Sequence, residues 1–321
     1  MSTKTILIVL GEPNSTFSEL LFKYFKSDLF KKNNNKIVLL GCKKLLKEQM
    51  KKLKYKIDLN IIANVNESIK KKVNIINVNY KFKKVFTKIT SSSRNYIDKC
   101  FDLSLSIIKR NNKIALINGP VSKKYFLKKK FPGVTEYISN KTNSKNPVML
   151  IYNKNLSVSP ITTHIPLKNV NRYIKKNNII NKVTKINNFY KLKIKKKPHF
   201  AVLGLNPHCE TISKISEEKR EIIPAIKNLK KRKIKIVGPL SADTFFLKKN
   251  IKKFDVVIGM YHDQVLTPIK TLYKFEAINI TIGLPFIKVT PDHGPNYEMI
   301  GKNKSDPSSI FYAMQFLSKI K

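Results

Sequence analysis

The chain has 321 residues, of which 42% are hydrophobic, and its formal net charge is +44. This hydrophobic fraction excludes a disordered protein, and the length predicts two domains or lobes. Lysine is spread over almost every segment, as expected for solvated surface, whereas a nucleic-acid-binding footprint would cluster on one element. We therefore expect no specific nucleic-acid partner, and a nucleic-acid-binding protein is kept as the non-enzyme alternative.

The three cysteines, Cys42, Cys100 and Cys209, have no paired spacing. An odd number without pairs argues against a disulfide framework and predicts a reducing compartment. The first residues contain only a short apolar run before Gly11, without a signal-type cleavage region, and no apolar run reaches bilayer-spanning length. The sequence therefore predicts a cytoplasmic protein without a membrane partner.

Apolar runs alternate with amphipathic stretches in chain order. The first part predicts strands at 6–10, 36–41, 59–63, 73–79 and 114–119, a helix opened by a Thr16–Glu19 capping box, and a helix at about 95–109. The middle part predicts a hairpin of strands at 147–152 and 156–162, then one long exposed helix at 169–191. Further strands are predicted at HFAVLGL, IKIVG, DVVIGM and AINITIG, and a last helix at about 307–319. This alternation predicts an α/β fold with a mainly parallel sheet.

Four of the five histidines lie at or soon after the end of a predicted strand: His164, His208, His262 and His293. Ligands of open α/β sheets bind at the carboxyl ends of strands. Three imidazoles can hold a divalent transition metal and leave positions open for substrate. The alternative is that each histidine is a separately satisfied polar group, since neither HExxH nor CxxC spacing is present. His199 precedes a strand and is predicted to be structural.

Charged residues near these histidines add to the pattern. Asp263 and Asp243 are either carboxylates that orient imidazoles or N-caps of the helices that they open. Lys270 and Lys288 suggest an anionic substrate, and GPVSK at 119–123 is compatible with anion binding at a helix start. The chain contains neither GxGxxG nor GxxxxGK[ST], so the sequence has no Rossmann fingerprint and no P-loop.

Five segments resemble the 4-hydroxythreonine-4-phosphate dehydrogenase family of pyridoxal 5'-phosphate biosynthesis. They are TTHIPL, GLNPHCE, GPLSADTFF, MYHDQVLTPIK and INITIGLPFIKVTPDHG. GEP near the start and GPVSK fit too, and the matches keep the expected order from about residue 5 to 310. The resemblance implies a two-lobed α/β fold shared with isocitrate and isopropylmalate dehydrogenases, with a mainly parallel central sheet and an active-site cleft between the lobes. We expect the first lobe at about 1–130 plus 285–321 and the second at about 131–284.

The resemblance also implies a reaction and its cofactors. The small phosphorylated substrate would be 4-phosphooxy-L-threonine, oxidised with NAD or NADP to a 3-oxo acid that loses carbon dioxide to give 3-amino-2-oxopropyl phosphate. A divalent metal (zinc, magnesium, manganese or cobalt) would be required. The enzyme would be a homodimer with active sites at the subunit interface.

Carried over by residue, the implied metal ligands are His164, His208 and His262, one of them from the partner subunit. The implied substrate contacts are Thr135, Lys270, Asn279 and Lys288. The candidate catalytic residues are Lys270 and Asp263, and the candidate cofactor contacts are His293 and Gly294.

The chain departs from the family pattern at several positions. Val134 stands where the family has histidine, and Lys288 stands where it has arginine, which removes a bidentate fork for an anion. Asn14 to Phe17 replace a glycine-rich turn, and Thr211 to Ser213 replace glycines. A related substrate such as 4-phosphothreonate therefore stays open as the alternative. A homologue that has lost activity is a further possibility, against which the intact histidine trio argues.

Overall fold

The structure is a computed structural model that describes residues 4–128, 130–210, 215–291, 294 and 296–320. The chain divides into two compact units, Met1–Pro147 with Leu284–Lys319, and Val148–Gly283 with Ile320–Lys321. The sequence placed residues 131–147 in the second lobe, whereas the structure groups them with the first unit. The reason is packing: the Tyr137 ring centroid lies 5.3 Å from that of Phe101 and 5.1 Å from that of Phe126.

Strands and helices are numbered along the chain. The first unit contains the strands β1 (Thr5–Val9), β2 (Lys36–Gly41), β3 (Leu59–Ile61), β4 (Val73–Asn77), β5 (Ala115–Asn118) and β12 (Lys288–Pro291). Its helices are α1 (Phe17–Phe25), α2 (Asp28–Lys31), α3 (Lys43–Lys52), α4 (Arg94–Arg110), α5 (Val134–Lys141) and α12 (Ser308–Lys319). The strands are parallel in the order β3-β4-β2-β1-β5-β12. The predicted mainly parallel sheet is confirmed for this unit.

The start of α1 differs from the sequence-based expectation. Thr16 is the N-cap residue, but its side chain makes no capping hydrogen bond. Glu19 is fully buried and accepts hydrogen bonds from the Ser305 backbone N–H at 2.7 Å and from Lys23 Nζ at 2.9 Å. The predicted capping box is therefore wrong, because the Glu19 carboxylate holds the segment that leads into α12.

The second unit contains the strands β6 (Val148–Tyr152), β7 (Ser157–Pro160), β8 (Phe200–Leu203), β9 (Ile236–Leu240), β10 (Val256–Gly259) and β11 (Ile278–Ile282). Its helices are α6 (Val170–Tyr173), α7 (Lys176–Phe189), α8 (Ile223–Lys231), α9 (Ala242–Phe245), α10 (Lys248–Ile251) and α11 (His262–Tyr273). The strand order is β11-β6-β7-β10-β8-β9, with β6 antiparallel to both neighbours and the other pairs parallel. The predicted β6–β7 hairpin is confirmed. Within the described ranges, no helix is long and apolar enough to cross a bilayer.

The segment predicted as one long exposed helix at 169–191 is the short α6 followed by the half-buried α7. Ile179, Val183 and Ile186 recur at helical spacing and are completely buried. The prediction of an exposed helix is wrong because the abundant Lys and Asn of this segment conceal one apolar stripe.

We expect Ile186→Val to lower the free energy of unfolding by about 0.5–1.5 kcal/mol, because a buried methylene is lost from a packed face. The control is Asn181→Ala on the exposed face of α7, which should stay within about 0.5 kcal/mol of the unsubstituted protein. Urea unfolding of both variants measures the difference. Equal effects would contradict the packing described for α7.

Candidate active site

The second unit places four polar side chains at one edge of its sheet. β7, β10, β8 and β9 are adjacent and parallel, so their carboxyl ends meet at the same edge. The segments that follow these strands carry, in that order, His164, His262, His208 and Asp243. Carboxyl ends of parallel strands are where α/β sheets bind ligands. The fold thus gathers residues that are up to 98 positions apart in the chain.

The first two histidines form a close pair. The ring centroids of His164 and His262 are 6.1 Å apart, and Asp263 Oδ1 lies 2.6 Å from His262 Nδ1. Asp263 is not an N-cap, because Tyr261 takes that position and α11 starts at His262. A carboxylate at Nδ1 orients the imidazole and leaves Nε2 as the nitrogen that can bind a metal.

His208 has a similar neighbour in the next segment. It adopts a left-handed backbone conformation with φ +54°, and its Nδ1 atom lies 3.7 Å from Asp243 Oδ2. Ser241, not Asp243, is the N-cap of α9, and its hydroxyl donates to Asp243 Oδ1 at 2.6 Å, which lowers the pKa of Asp243. Each of these two histidines therefore has a carboxylate on its Nδ1 side.

The donor set fits a divalent transition metal in its chemistry, since neutral imidazoles backed by carboxylates are common metal ligands. Among the residues that the structure describes, no three or more His, Cys, Asp or Glu side chains come close enough to hold an ion. The structure brings His164 and His262 together and places His208 in the segment after the adjacent strand. The complete trio remains a prediction.

His199 has a structural role, as the sequence predicted. Its Nδ1 atom lies 2.9 Å from the Lys253 carbonyl oxygen, and its ring centroid lies 4.6 Å from that of Phe254. These contacts tie the start of β8 to the segment before β10.

Two predicted substrate contacts also belong to the second unit. Lys270 is exposed on α11, eight residues after the first residue of that helix. Asn279 lies in β11, and its Oδ1 atom is buried without a hydrogen-bond partner in the described part of the chain. The Oδ1 atom is therefore able to accept a hydrogen bond, as are seven other buried side-chain atoms in the described part of the chain.

The other predicted substrate contacts belong to the first unit. Thr135 lies in the first turn of α5, after Val134. Lys288 in β12 is 1% exposed, and its Nζ atom donates to Thr290 Oγ1 at 2.8 Å. The Thr290 hydroxyl donates to Asn118 Oδ1, also at 2.8 Å. Burial lowers the pKa of Lys288 to about 7, and the Glu136 carboxylate partly opposes this shift.

We expect the buried Lys288 amine to make stability depend on pH. Its folded pKa of about 7 lies below the value of about 10.4 in an unfolded chain. Burying the charged amine therefore destabilises the folded state fully below pH 7. This destabilisation disappears as pH rises from 7 towards 10, because over that range the unfolded state binds a proton that the folded state does not. Relative to Lys288→Met, the unfolding free energy of the unsubstituted protein should rise by on the order of 3 kcal/mol between pH 7 and 10. Urea unfolding of both proteins at several pH values checks this, and a constant difference would contradict the low pKa.

The GEP and GPVSK segments contact each other in the first unit. The Glu12 backbone N–H donates to the Pro120 carbonyl at 2.8 Å. Gly11 has φ +71°, and a Cβ atom there would lie 2.5 Å from the Pro120 oxygen. Ser122 caps the short π-helix Lys123–Leu127 by accepting from the Tyr125 N–H at 3.2 Å. The Ser122 hydroxyl thus has a capping role that the sequence reading of GPVSK did not include.

The candidate cofactor contacts are described only in part. His293 lies outside the described residues. Gly294 is exposed, and a Cβ atom there would meet nothing within 4 Å. Space alone therefore does not require glycine at this position.

The sequence reading missed several residues that support the histidine-bearing segments. Four side chains hydrogen-bond to backbone atoms just beyond β7, β8 or β10: those of Thr162, Lys182, Glu218 and Gln264. Glu218, for example, is fully buried and accepts at 2.8 Å from the backbone N–H groups of Leu205 and Asn206. No spacing rule signals such contacts, although Gln264 follows the His-Asp pair directly in the sequence.

The fold is shared with known oxidoreductases. The crystal structure of 4-hydroxythreonine-4-phosphate dehydrogenase from Klebsiella pneumoniae superposes with a TM-score of 0.84 at 24% identity, covering 98% of each chain. A beta-decarboxylating dehydrogenase from Thermococcus kodakarensis superposes with a TM-score of 0.51 at 9% identity, covering 98% of this chain and 82% of that one. At these identities the two likenesses show that the chain has the same α/β fold.

The sequence comparisons are more specific. The family model described as "Pyridoxal phosphate biosynthetic protein PdxA" matches residues 32–317. A 4-hydroxythreonine-4-phosphate dehydrogenase of Sulfurihydrogenibium sp. (strain YO3AOP1) is 39% identical over 322 residues, covering 98% of each chain. The chain belongs to the PdxA family, and it is an oxidoreductase of pyridoxal phosphate biosynthesis. The predicted family, fold class and enzyme class are confirmed.

Proposed function

We propose that the protein oxidises 4-phosphooxy-L-threonine with NAD or NADP, and that the resulting 3-oxo acid loses carbon dioxide to give 3-amino-2-oxopropyl phosphate. The observation that carries the proposal is the arrangement of His164, His262 and His208 after three adjacent parallel strands of a family member. A binding site for a divalent ion at this edge matches the chemistry of alcohol oxidation.

His164, His208 and His262 would hold the ion, with zinc, magnesium, manganese and cobalt as candidates. When bound, a divalent ion lowers the pKa of a coordinated hydroxyl and stabilises the negative charge that develops during oxidation. Asp263 would keep the proton of His262 on Nδ1, so that Nε2 faces the ion. Asp243 would do the same for His208.

Thr135, Asn279, Lys270 and Lys288 would bind the substrate. The unsatisfied Asn279 Oδ1 atom supports a contact with a hydrogen-bond donor such as the substrate amino group or hydroxyl. The Lys288 ammonium supports a contact with a phosphate or carboxylate, and Thr290 and Asn118 fix its position. Lys270, on the helix that begins at His262, is the candidate for proton transfer.

A nicotinamide dinucleotide would accept the hydride. Its adenosine end would bind the first unit, with His293 and Gly294 as candidate contacts. A separate observation supports a nucleotide site in this unit: a cavity of about 560 Å³ whose lining includes Tyr80, Phe82, Lys81, Lys83, Lys84 and Lys88. Aromatic side chains can stack on a base, and lysines bind phosphates.

We also propose a cytoplasmic homodimer in which the partner subunit supplies one of the three histidines to each site. The His208 side chain supports this arrangement because it is 81% exposed. Unpaired thiols at Cys42, Cys100 and Cys209 fit a reducing compartment.

The test uses purified protein stripped of metal by a chelator and reloaded with Zn²⁺, Mg²⁺, Mn²⁺ or Co²⁺. With 4-phosphooxy-L-threonine and NAD or NADP, at least one ion should restore the rise in absorbance at 340 nm. Failure of every ion to restore reduced cofactor would overturn the proposed function.

A further inference from the structure

Two short polar connections join the strand ends that carry the histidines. The first links β7 to β10. Beyond the ends of both strands, the Thr162 backbone N–H donates to the Met260 carbonyl at 3.1 Å, and the Thr162 hydroxyl donates to the same oxygen at 2.8 Å. Thr162 is 3% exposed. It stands two residues before His164, and Met260 stands two residues before His262.

The second connection links β10 to β8. The Gln264 side chain accepts from the Met260 backbone N–H at 2.7 Å and donates to the Gly204 carbonyl at 2.8 Å. Gly204 immediately follows β8, and the segment after it carries His208. A single amide thus satisfies backbone groups just after two strands, β10 and β8. Space is tight here, since a Cβ atom on Gly259 would lie 3.0 Å from Gln264 Oε1.

Met260 is the shared centre of both connections, because its carbonyl accepts from Thr162 and its N–H donates to Gln264. All three histidine-bearing segments are thereby tied to one another just beyond the ends of β7, β10 and β8. We propose that Thr162 and Gln264 are positioning residues that hold the three histidine-bearing segments of each chain in place, including the one that would serve the partner subunit's site in the proposed dimer. This inference rests on the proposed function, since it assumes that the histidines bind a metal.

The physical reason is that these histidines lie outside the regular strands. Segments beyond strand ends are more mobile than the sheet, whereas a metal site needs its ligands held within a fraction of an ångström. Buried hydrogen bonds to backbone atoms are costly to break and therefore hold such segments in register. Residues that orient metal ligands typically change affinity 10–100-fold when substituted.

The experiment measures Co²⁺ binding to the full-length protein by competition with a chromophoric chelator, together with the visible Co²⁺ spectrum. Gln264→Met and Thr162→Val should each weaken binding about 10-fold or more and alter the spectrum, which reports ligand geometry. The matched controls are Asn178→Leu and Thr271→Val, which remove an exposed amide–carbonyl and an exposed hydroxyl–carbonyl hydrogen bond elsewhere in the unit. Both controls should bind Co²⁺ like the unsubstituted protein.

The outcomes separate the inference from the function on which it rests. If the unsubstituted protein binds Co²⁺ and His262→Ala does not, while Gln264→Met and Thr162→Val keep the affinity within about 3-fold, the positioning role is wrong and the metal site stands. If the unsubstituted protein binds no Co²⁺, both proposals fall. Should Gln264→Met not fold, Thr162→Val decides the question, since it removes only one hydroxyl.

Discussion

Replacing His262 with alanine should abolish tight metal binding and lower kcat/KM by about 10³-fold or more. The imidazole lies beside His164 and is oriented by Asp263, so its loss removes a ligand from the centre of the candidate site. A metal ion contributes several kcal/mol to stabilising developing charge, and each 1.36 kcal/mol is a factor of ten in rate. Metal content after gel filtration and steady-state kinetics measure the two effects.

The control for this variant is His199→Ala. His199 contacts Lys253 and Phe254 and lies at the start of β8, away from the carboxyl ends. The His199→Ala variant should keep its metal content and most of its activity, and any effect should be a lower free energy of unfolding. Undiminished metal binding by His262→Ala would remove His262 from the site.

Replacing Lys288 with methionine should raise KM for the phosphorylated substrate about 10–100-fold, with a smaller change in kcat. A hydrogen bond to a charged group contributes about 1.5–3 kcal/mol, and the methionine offers neither charge nor donor. Because burial lowers the pKa of Lys288 to about 7, the unsubstituted enzyme should also lose affinity as pH rises from 6 to 9. Steady-state kinetics over this pH range measure both effects.

Lys288→Arg is the matched variant, because the family pattern has arginine at this position. A guanidinium stays charged over the whole range, so its KM should depend less on pH above 7. If Lys288→Met binds substrate as well as the unsubstituted enzyme does, Lys288 is a structural amine and not a substrate contact.

The strands and the grouping of the histidines could be predicted from the sequence. The apolar run of β1 could be predicted as a strand buried on both faces because it is short, rich in β-branched residues and followed by Gly11. The rule that strand ends bind ligands then selected His164, His208, His262 and His293, and the family resemblance reduced the predicted metal ligands to the first three. Family resemblance supplied the reaction, which no spacing rule could have provided.

Other features depend on contacts between residues far apart in the chain and could not be predicted from the sequence. Glu19 reads as half of a capping box until Ser305, 286 positions away, is seen to donate to it. β12 was not predicted, because KVTP is short and ends in proline. Lysine occurs in almost every segment of this chain and is mostly solvent-exposed, so the burial of Lys288 could be recognised only from the packing around it.

The most direct test of the proposed function compares 4-phosphooxy-L-threonine with 4-phosphothreonate in the metal-loaded enzyme, following reduced cofactor and carbon dioxide together. We expect a higher kcat/KM for 4-phosphooxy-L-threonine and one carbon dioxide released for each cofactor reduced. A higher kcat/KM for 4-phosphothreonate, or no reduced cofactor with either compound, would contradict the account.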